Sequence, residues 1–227
     1  PPASYLCWKA VEPHKKEYLW LAMIGIVSDW HMPEFAEEFI RQYPDLLPRK
    51  MTAEEALFTT KLGELARIVS FIFKFPKNKI YSAIKCFEAI QSPYELLQNN
   101  TKEAKFIHSL FCEAGKEYQH LLQQATKAAT ASTDNFVVFV YSNDKGFSGD
   151  LANELLYRHK DKIIVAAREK DNLMRLSLRS RTIPVLPRLL RALKGFDATG
   201  GGHEHACGAT ISTNDFPEFI EKFKKEF

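Results

Sequence analysis

The segment from residue 135 onward alternates between strand-like and helix-like patterns, and this alternation restricts the fold class more than any other feature of the sequence. Two apolar runs, Phe136–Tyr141 and Ile163–Ala167, are typical of buried strands, and the Leu151/Leu155 spacing between them predicts a crossover helix. A strand, a helix and a second strand in this order predict a right-handed βαβ unit. We therefore expect an α/β domain with a mixed sheet at residues 135–227.

A third strand is predicted at Leu173–Arg179, where apolar and polar residues alternate. Its polar face would carry three potential donors, namely Arg175, Ser177 and Arg179. Beyond it, leucines at helical spacing predict a helix that ends near Leu193. A Gly-His loop, a strand through Ile211 and a closing helix complete the predicted order.

The residues before 135 have a different composition. The apolar run Leu21–Val27 predicts a buried strand that ends in a loop at Asp29. Thr52 and Glu55 have the spacing of a capping box, and Ser92 followed by proline is a second helix start. Residues 50–128 are therefore expected to form a bundle of three or four helices. The small and polar residues of 128–134 predict a linker.

Charge and cysteine content exclude several classes of protein. The net charge is only +3, so an anion site must come from local clustering of basic residues. The four cysteines show no C-x-x-C pair, which predicts neither a disulfide framework nor a cysteine zinc site, and favours a reducing, cytoplasmic location. The longest apolar stretch, Tyr18–Val27, has about half of the roughly 20 residues that a membrane span needs, so we expect a soluble protein with no membrane partner.

A candidate phosphate site lies around the glycine triplet of Gly200, Gly201 and Gly202. Glycines allow backbone N–H groups to converge on an anion, and His203 adds a ring donor. The segment from residue 175 to 194 also has six basic residues and no acidic one: Arg175, Arg179, Arg181, Arg188, Arg191 and Lys194. A guanidinium can hold two phosphate oxygens, and nearby serine hydroxyls can add bonds. From composition alone, a plain glycine turn beside a solvated basic helix is equally compatible.

One metal site and one further ligand-handling position can be considered from the residues themselves. His203, His205 and Cys207 would share one side of a strand, but ligands along one strand diverge, and Cys207 is better explained as a core residue. Asp29, at the end of the predicted first strand, could handle a ligand or could simply cap a turn.

The segment Gly200–Gly208, of sequence GGGHEHACG, together with Ser177–Ser180, of sequence SLRS, resembles the DHH-associated C-terminal domain of DHH-family phosphoesterases. The predicted element order of residues 135–227 is similar to that domain throughout. The family includes RecJ-type single-strand exonucleases, small-oligonucleotide ribonucleases and cyclic-dinucleotide phosphodiesterases, and a related domain occurs in alanyl-tRNA synthetases.

The resemblance extends, over a shorter motif, to the N-terminal part. Gly25–Asp29 resembles the fourth motif of the DHH catalytic domain, which implies that Asp29 ligates one of two divalent ions, Mn²⁺ or Mg²⁺. The upstream family motifs do not occur in this sequence. The resemblance thus implies a C-terminal fragment with the end of a catalytic domain at 1–49, a helical connector at 50–128 and a substrate-binding domain at 135–227. We expect such a fragment to bind no metal and to be inactive by itself.

The function implied by this resemblance is phosphodiester hydrolysis by the full-length protein. The ligand would be a single-stranded nucleic acid, a short oligonucleotide or a cyclic dinucleotide. Its phosphate would be held by the Ser177, Arg179 and Ser180 side chains and by the segment from Gly200 to His203. Two alternatives stay open: a non-catalytic replication or repair scaffold with a protein partner, and a tRNA-binding module.

Overall fold

The computed structural model describes residues 1–12, 16–132 and 134–227, and the chain divides into two compact units. The first unit comprises Pro1–Gly115 and the second comprises Lys116–Phe227. This division falls within a helix rather than at residues 128–134, where the sequence predicts a linker. No helix in the described ranges is both long and apolar enough to cross a membrane.

Helices make up the regular structure of the first unit. Residues 50–128 hold four complete helices and most of a fifth, slightly more than predicted. Thr52 and Glu55 form the predicted capping box, and Ser92 caps the helix that begins at Pro93. The bounds are α1 (Ala3–Val11), a 3₁₀ turn (Lys16–Tyr18), α2 (Leu19–Ser28), α3 (Ala36–Gln42), α4 (Ala53–Thr59), α5 (Lys61–Ile72), α6 (Lys77–Ala89), α7 (Pro93–Gln98) and α8 (Lys102–Ala131), the last of which continues into the second unit.

The strand predicted at Leu21–Val27 is wrong, because these residues lie within helix α2. Met23, Ile26 and Val27 are all fully buried, so the helix is enclosed on several sides by α1, α4 and α5. An element buried all round has no polar face, and its apolar run therefore lacks the periodicity that distinguishes a helix from a strand. Gly25 permits the close approach of α1, since a Cβ there would lie 2.8 Å from the Cβ of Ser4.

The second unit is built on a five-stranded mixed sheet with the order β1-β2-β3-β5-β4. Strands β1 and β2 are parallel and are connected through α9, as predicted, while the other neighbours are antiparallel. The segment predicted as a Gly-His loop is itself strand β4. The bounds are β1 (Phe136–Ser142), α9 (Ser148–Arg158), β2 (Ile163–Lys170), β3 (Leu173–Arg179), α10 (Leu186–Ala192), β4 (Thr199–His203), β5 (Ala206–Ser212) and α11 (Phe216–Lys224).

The two sides of this sheet are covered differently. On one side, Met174, Leu176 and Leu178 of β3 belong to a hydrophobic core with residues of α10 and α11. On the other side, α9 packs on β2 and β3, while β4 is exposed along its whole length. We call the α9 side of β2, β3, β5 and β4 the open face. The side chains of Arg175, Ser177 and Arg179 lie on it, as the alternation in β3 predicts.

Helix α9 is held in place at both ends of its buried side. The Phe147 amide, just before the helix, donates to the Tyr141 hydroxyl at 2.7 Å. Further along, the buried Glu154 carboxylate accepts from the Tyr118 hydroxyl and from Arg158, each at 2.6 Å. Because these bonds fix the helix against β1 and α8, the first turn of α9 has a defined position beside the open face.

The predicted linker at 128–134 is wrong over residues 128–131, which are the last residues of α8. Alanine has the highest intrinsic helix propensity, so a stretch of small residues does not by itself end a helix. The Lys162 ammonium donates to the carbonyl oxygens of Ala129, Ser132 and Asp134 at 3.2, 2.6 and 3.1 Å. This contact holds the end of α8 to β2; Thr133 of the predicted linker lies outside the described residues.

Candidate phosphate-binding face

The sheet register places the predicted site residues in rows across the open face. Ser177 on β3 lies opposite Gly208 on β5, which in turn lies opposite Gly201 on β4. In the next row, Arg179 lies opposite Ala206, followed by His203. Paired residues of neighbouring strands project to the same side, and two strand spacings give about 10 Å from β3 to β4. The face thus carries Ser177 and Arg179 on β3 and His203 on β4, and the other positions of these two rows are small residues, Gly208, Gly201 and Ala206, which we call the floor.

Arg179 is the most constrained basic side chain of this face. Its Nε donates to the Asn153 side chain on α9 at 2.7 Å, and its Nη1 donates to the carbonyls of Leu178 and Cys207 at 2.9 and 3.3 Å. Burial lowers the pKa of the guanidinium, but its usual value is high enough that it stays protonated at neutral pH. Its Nη2 makes no hydrogen bond within the described ranges. Arg179 is therefore a pre-oriented cation whose Nη2 can donate a hydrogen bond to a ligand.

The first turn of α9 adjoins the Ser177 row. A Cβ on Gly149 would lie 3.9 Å from the Ser177 hydroxyl oxygen, so the hydroxyl and this turn are near neighbours. The N-cap residue of α9, Phe147, makes no side-chain capping bond, and Asp150 lies in the first turn. The backbone N–H groups at a helix start carry partial positive charge and favour anions. Serine hydroxyl, arginine and helix start together supply donors of the kind that phosphate oxygens accept.

The three glycines of β4 differ in whether the surrounding structure requires a residue without a side chain. A Cβ on Gly200 would lie 2.6 Å from Cδ1 of Leu193, and a Cβ on Gly202 would lie 2.7 Å from the carbonyl oxygen of Ala206. Gly202 also has a φ of +134°, which side-chain-bearing residues rarely adopt. A Cβ on Gly201 would meet nothing within 4 Å. Only Gly201 of the triplet therefore has no intramolecular reason to lack a side chain.

The predicted convergence of backbone N–H groups at the triplet is wrong. Because β4 is a strand, its backbone pairs with β5 instead of curling around an anion. Ser180 is also removed from the face. It is 3% exposed, its amide donates to the His205 carbonyl, and its hydroxyl accepts from the Ile183 amide at 3.2 Å. Ser180 shapes the turn between β3 and α10, whereas Ser177 keeps its position beside α9.

The predicted basic cluster is divided between the two sides of the sheet. Arg175 and Arg179 lie on the open face. Arg188 and Arg191 belong to α10 on the opposite side, where both bond to Glu226, Arg188 to its carbonyl and Arg191 to its carboxylate at 2.6 Å. The positive charge available to a ligand on the open face is therefore smaller than the sequence count suggests.

The described residues hold no metal centre. No group of three or more His, Cys, Asp or Glu side chains could bind an ion. Asp29 is an exposed residue at the C-terminus of α2, and a single carboxylate does not make a two-metal site. Cys207 is buried, as predicted for a core residue, and burial raises the pKa of its thiol to about 11. The residues present do not fit the implied Mn²⁺ or Mg²⁺ pair.

Sequence reasoning missed three contributors to the face. Asn153 positions Arg179, the turn at Ser148 and Gly149 adjoins Ser177, and Gly208 completes the floor between Ser177 and Gly201. One signal was available: a glycine-containing turn directly after a buried parallel strand is a common start of an anion-binding helix.

Comparison with known proteins agrees with this fold. Residues 133–227 match the family model of the DHHA1 domain. No curated protein sequence matches the chain. Among solved structures, RecJ from Thermus thermophilus in complex with Mg²⁺ is 17% identical with a TM-score of 0.57, covering 92% of this chain and 34% of its own. The same RecJ in complex with Mn²⁺ is 16% identical with a TM-score of 0.51, covering 92% and 32%.

The DHH domain of a member of the S1P family of ribosomal proteins is 13% identical with a TM-score of 0.53, covering 94% of this chain and 51% of its own. The chain therefore spans about a third of RecJ and about half of this second structure. At identities below a fifth, these likenesses describe the fold.

Proposed function

We propose that this chain belongs to the DHH family of RecJ-like proteins and that its open face binds the phosphate end of a nucleic-acid strand or oligonucleotide. The match of residues 133–227 to the DHHA1 domain and the fold shared with RecJ support this proposal. In the complete protein this binding would serve phosphodiester hydrolysis. The single observation that carries the proposal is the arrangement of Arg179. Its guanidinium is held by three hydrogen bonds on the same face as Ser177, with the first turn of α9 alongside.

The space beside the proposed phosphate position supports a nucleotide over a simple anion. Phosphate oxygens would accept hydrogen bonds from Arg179, Ser177 and the start of α9. The glycine floor at Gly208 and Gly201 leaves room for a sugar or a base next to that phosphate. His203 lies at the far side of the floor, where its ring could donate to the same ligand. The chain's own residues would thus bind and orient the ligand.

Catalysis is not assigned to the residues of this chain. Its described part holds no cluster of three or more His, Cys, Asp or Glu side chains that could bind a divalent ion. We propose that residues 1–227 bind an oligonucleotide without turning it over. Hydrolysis of a labelled oligonucleotide by the purified chain with added MnCl₂ would contradict this division of roles.

The binding proposal is tested with Arg179→Gln. The probe is a 5′-phosphorylated oligothymidylate with a 3′ fluorophore, titrated by fluorescence anisotropy at low salt. Loss of a hydrogen bond to a charged group costs about 1.5–3 kcal/mol, so we expect the affinity to fall roughly tenfold to a hundredfold.

The matched control is Arg191→Gln, which removes the same charge from the opposite side of the sheet and should leave the affinity unchanged. Amide hydrogen exchange of β3 and β5 verifies that both variants keep their fold. If Arg179→Gln, with its fold intact, binds as tightly as the original chain, the assignment of this face fails.

A further inference from the structure

Two arginines lie directly opposite one another on the open face, one row beyond Ser177. Arg168 on β2 is the register partner of Arg175 on β3. Cβ atoms of directly opposite residues lie roughly 4.5–5.5 Å apart, and like charges at such positions destabilise a sheet. The pair therefore costs stability unless something neutralises it.

The described residues supply that neutralising charge only in part: the pKa of the Asp144 carboxyl is lowered chiefly by its hydrogen bond to Lys170 and, as a smaller cause, by the charge of Arg168. Arg168 donates through Nη1 to the carbonyl oxygen of Asp144 at 2.9 Å, which uses a neutral acceptor. The Asp144 carboxylate itself is paired with Lys170 at 2.9 Å. Arg175 makes no side-chain hydrogen bond or ion pair within the described ranges. The pair thus keeps donors and charge that its described surroundings do not fully satisfy.

The loop before α9 packs against the Arg168 guanidinium. A Cβ on Gly146 would lie 3.4 Å from Nη1 and 3.5 Å from Cζ of Arg168, which are ordinary van der Waals distances, so the guanidinium lies directly beside this glycine. Arg168 is half-buried in the sheet and oriented by the Asp144 carbonyl. Its position is therefore defined before any ligand arrives.

The spacing of the rows indicates what the pair binds. Arg175 and Ser177 are two residues apart on one strand, a rise of about 7 Å, which is comparable to the distance between successive phosphates of an extended polynucleotide. We propose that Arg168 and Arg175 form a second phosphate subsite, so that the open face binds two successive phosphates of a strand. This inference rests on the proposed function, since the first phosphate is the one assigned to Ser177 and Arg179.

The test compares ligands that differ in their phosphates. Isothermal titration measures the affinity of the chain for thymidine 5′-monophosphate, for the dinucleotide pTpT, and for pTpT with a neutral methylphosphonate between the sugars. We expect Arg175→Gln to lower the affinity for pTpT about tenfold or more, which is the effect of losing one charge-assisted hydrogen bond. The affinities for the monophosphate and for the methylphosphonate dinucleotide should stay unchanged. Arg191→Gln is again the matched control.

Thymidine 5′-diphosphate is the fourth ligand, because its two phosphates are directly joined. If Arg175→Gln weakens the diphosphate as strongly as pTpT, the pair is a general polyphosphate site and the proposal is overturned. An unchanged affinity for pTpT, or an equal loss for the monophosphate, also overturns it. If the original chain binds neither the monophosphate nor pTpT, the proposed function itself fails, and that outcome is distinct from the others.

Discussion

The contrast between Gly201 and Gly202 gives the sharpest test of how this face is built. Both glycines are exposed residues of β4, yet alanine at the two positions should have opposite effects on stability. At Gly201 the backbone is not in the left-handed region and a Cβ meets nothing within 4 Å. Gly201→Ala should therefore raise the free energy of unfolding by about 0.4–1 kcal/mol, because alanine restricts the unfolded chain.

At Gly202 the same substitution is destabilising for two reasons. The φ of +134° strains any residue with a side chain, and a Cβ would lie 2.7 Å from the Ala206 carbonyl oxygen and from Cα of Cys207. Backbone strain costs roughly 1–3 kcal/mol and overpacking a similar amount, so Gly202→Ala should lower the free energy of unfolding by about 2–6 kcal/mol.

The assay must report on the second unit alone. All three tryptophans, Trp8, Trp20 and Trp30, lie in the first unit, so their fluorescence provides an internal reference that should not change. Amide hydrogen exchange of Ala206–Ser212 measures the stability of the sheet. We expect slower exchange in Gly201→Ala and faster exchange in Gly202→Ala.

Oligonucleotide binding gives a second test of the role of Gly201. The alanine methyl at 201 would lie on the floor of the open face. Gly201→Ala should therefore lower the affinity for the oligothymidylate, although it makes the domain more stable. If both alanines shift stability in the same direction, the assignment of separate roles within the triplet is refuted. If Gly201→Ala leaves the affinity unchanged, the floor is not part of the binding site.

Two further predictions concern Lys162 and Cys207. Lys162→Met leaves three carbonyls without their shared cation and should lower the free energy of unfolding by about 1.5–3 kcal/mol. Guanidinium denaturation measures this loss against the exposed control Lys160→Met. Equal stability of the two variants would contradict the bonding role of Lys162. The pKa of Cys207 is raised from its usual 9.0 to about 11, so the stabilisation from its neutral thiol is complete below pH 9 and is lost as the pH rises through 11. Because the thiol of the unfolded chain ionises near its usual pKa while the buried thiol stays neutral, the stability difference between the original chain and Cys207→Ala should shrink between pH 8 and pH 10.5. A constant difference would show that burial does not raise the pKa of this thiol.

Much of the second unit could be predicted because its side chains carry the information. The β-branched runs of β1 and β2 and the alternation in β3 reflect burial on two sides and on one side. Helix starts were equally predictable at Thr52 and Ser92, where the capping side chain itself makes the bond.

The sequence predictions that were wrong have identifiable physical causes. Helix α2 is apolar all round and so lacks a helical period, while β4 is a strand through its backbone pairing and has three residues without side chains to show a pattern. The opposition of Arg168 and Arg175 depends on the register of β2 and β3, which their separate sequences do not specify.

The open edge of β4 has a consequence for behaviour at high concentration. An unpaired outer strand can recruit the strand of another molecule and start aggregation. Glycine has little tendency to extend a sheet and loses much conformational entropy when ordered, so an incoming strand gains little from pairing there. The glycine composition that would leave this edge clear for the proposed ligand should therefore also disfavour association of the molecule with its own copies.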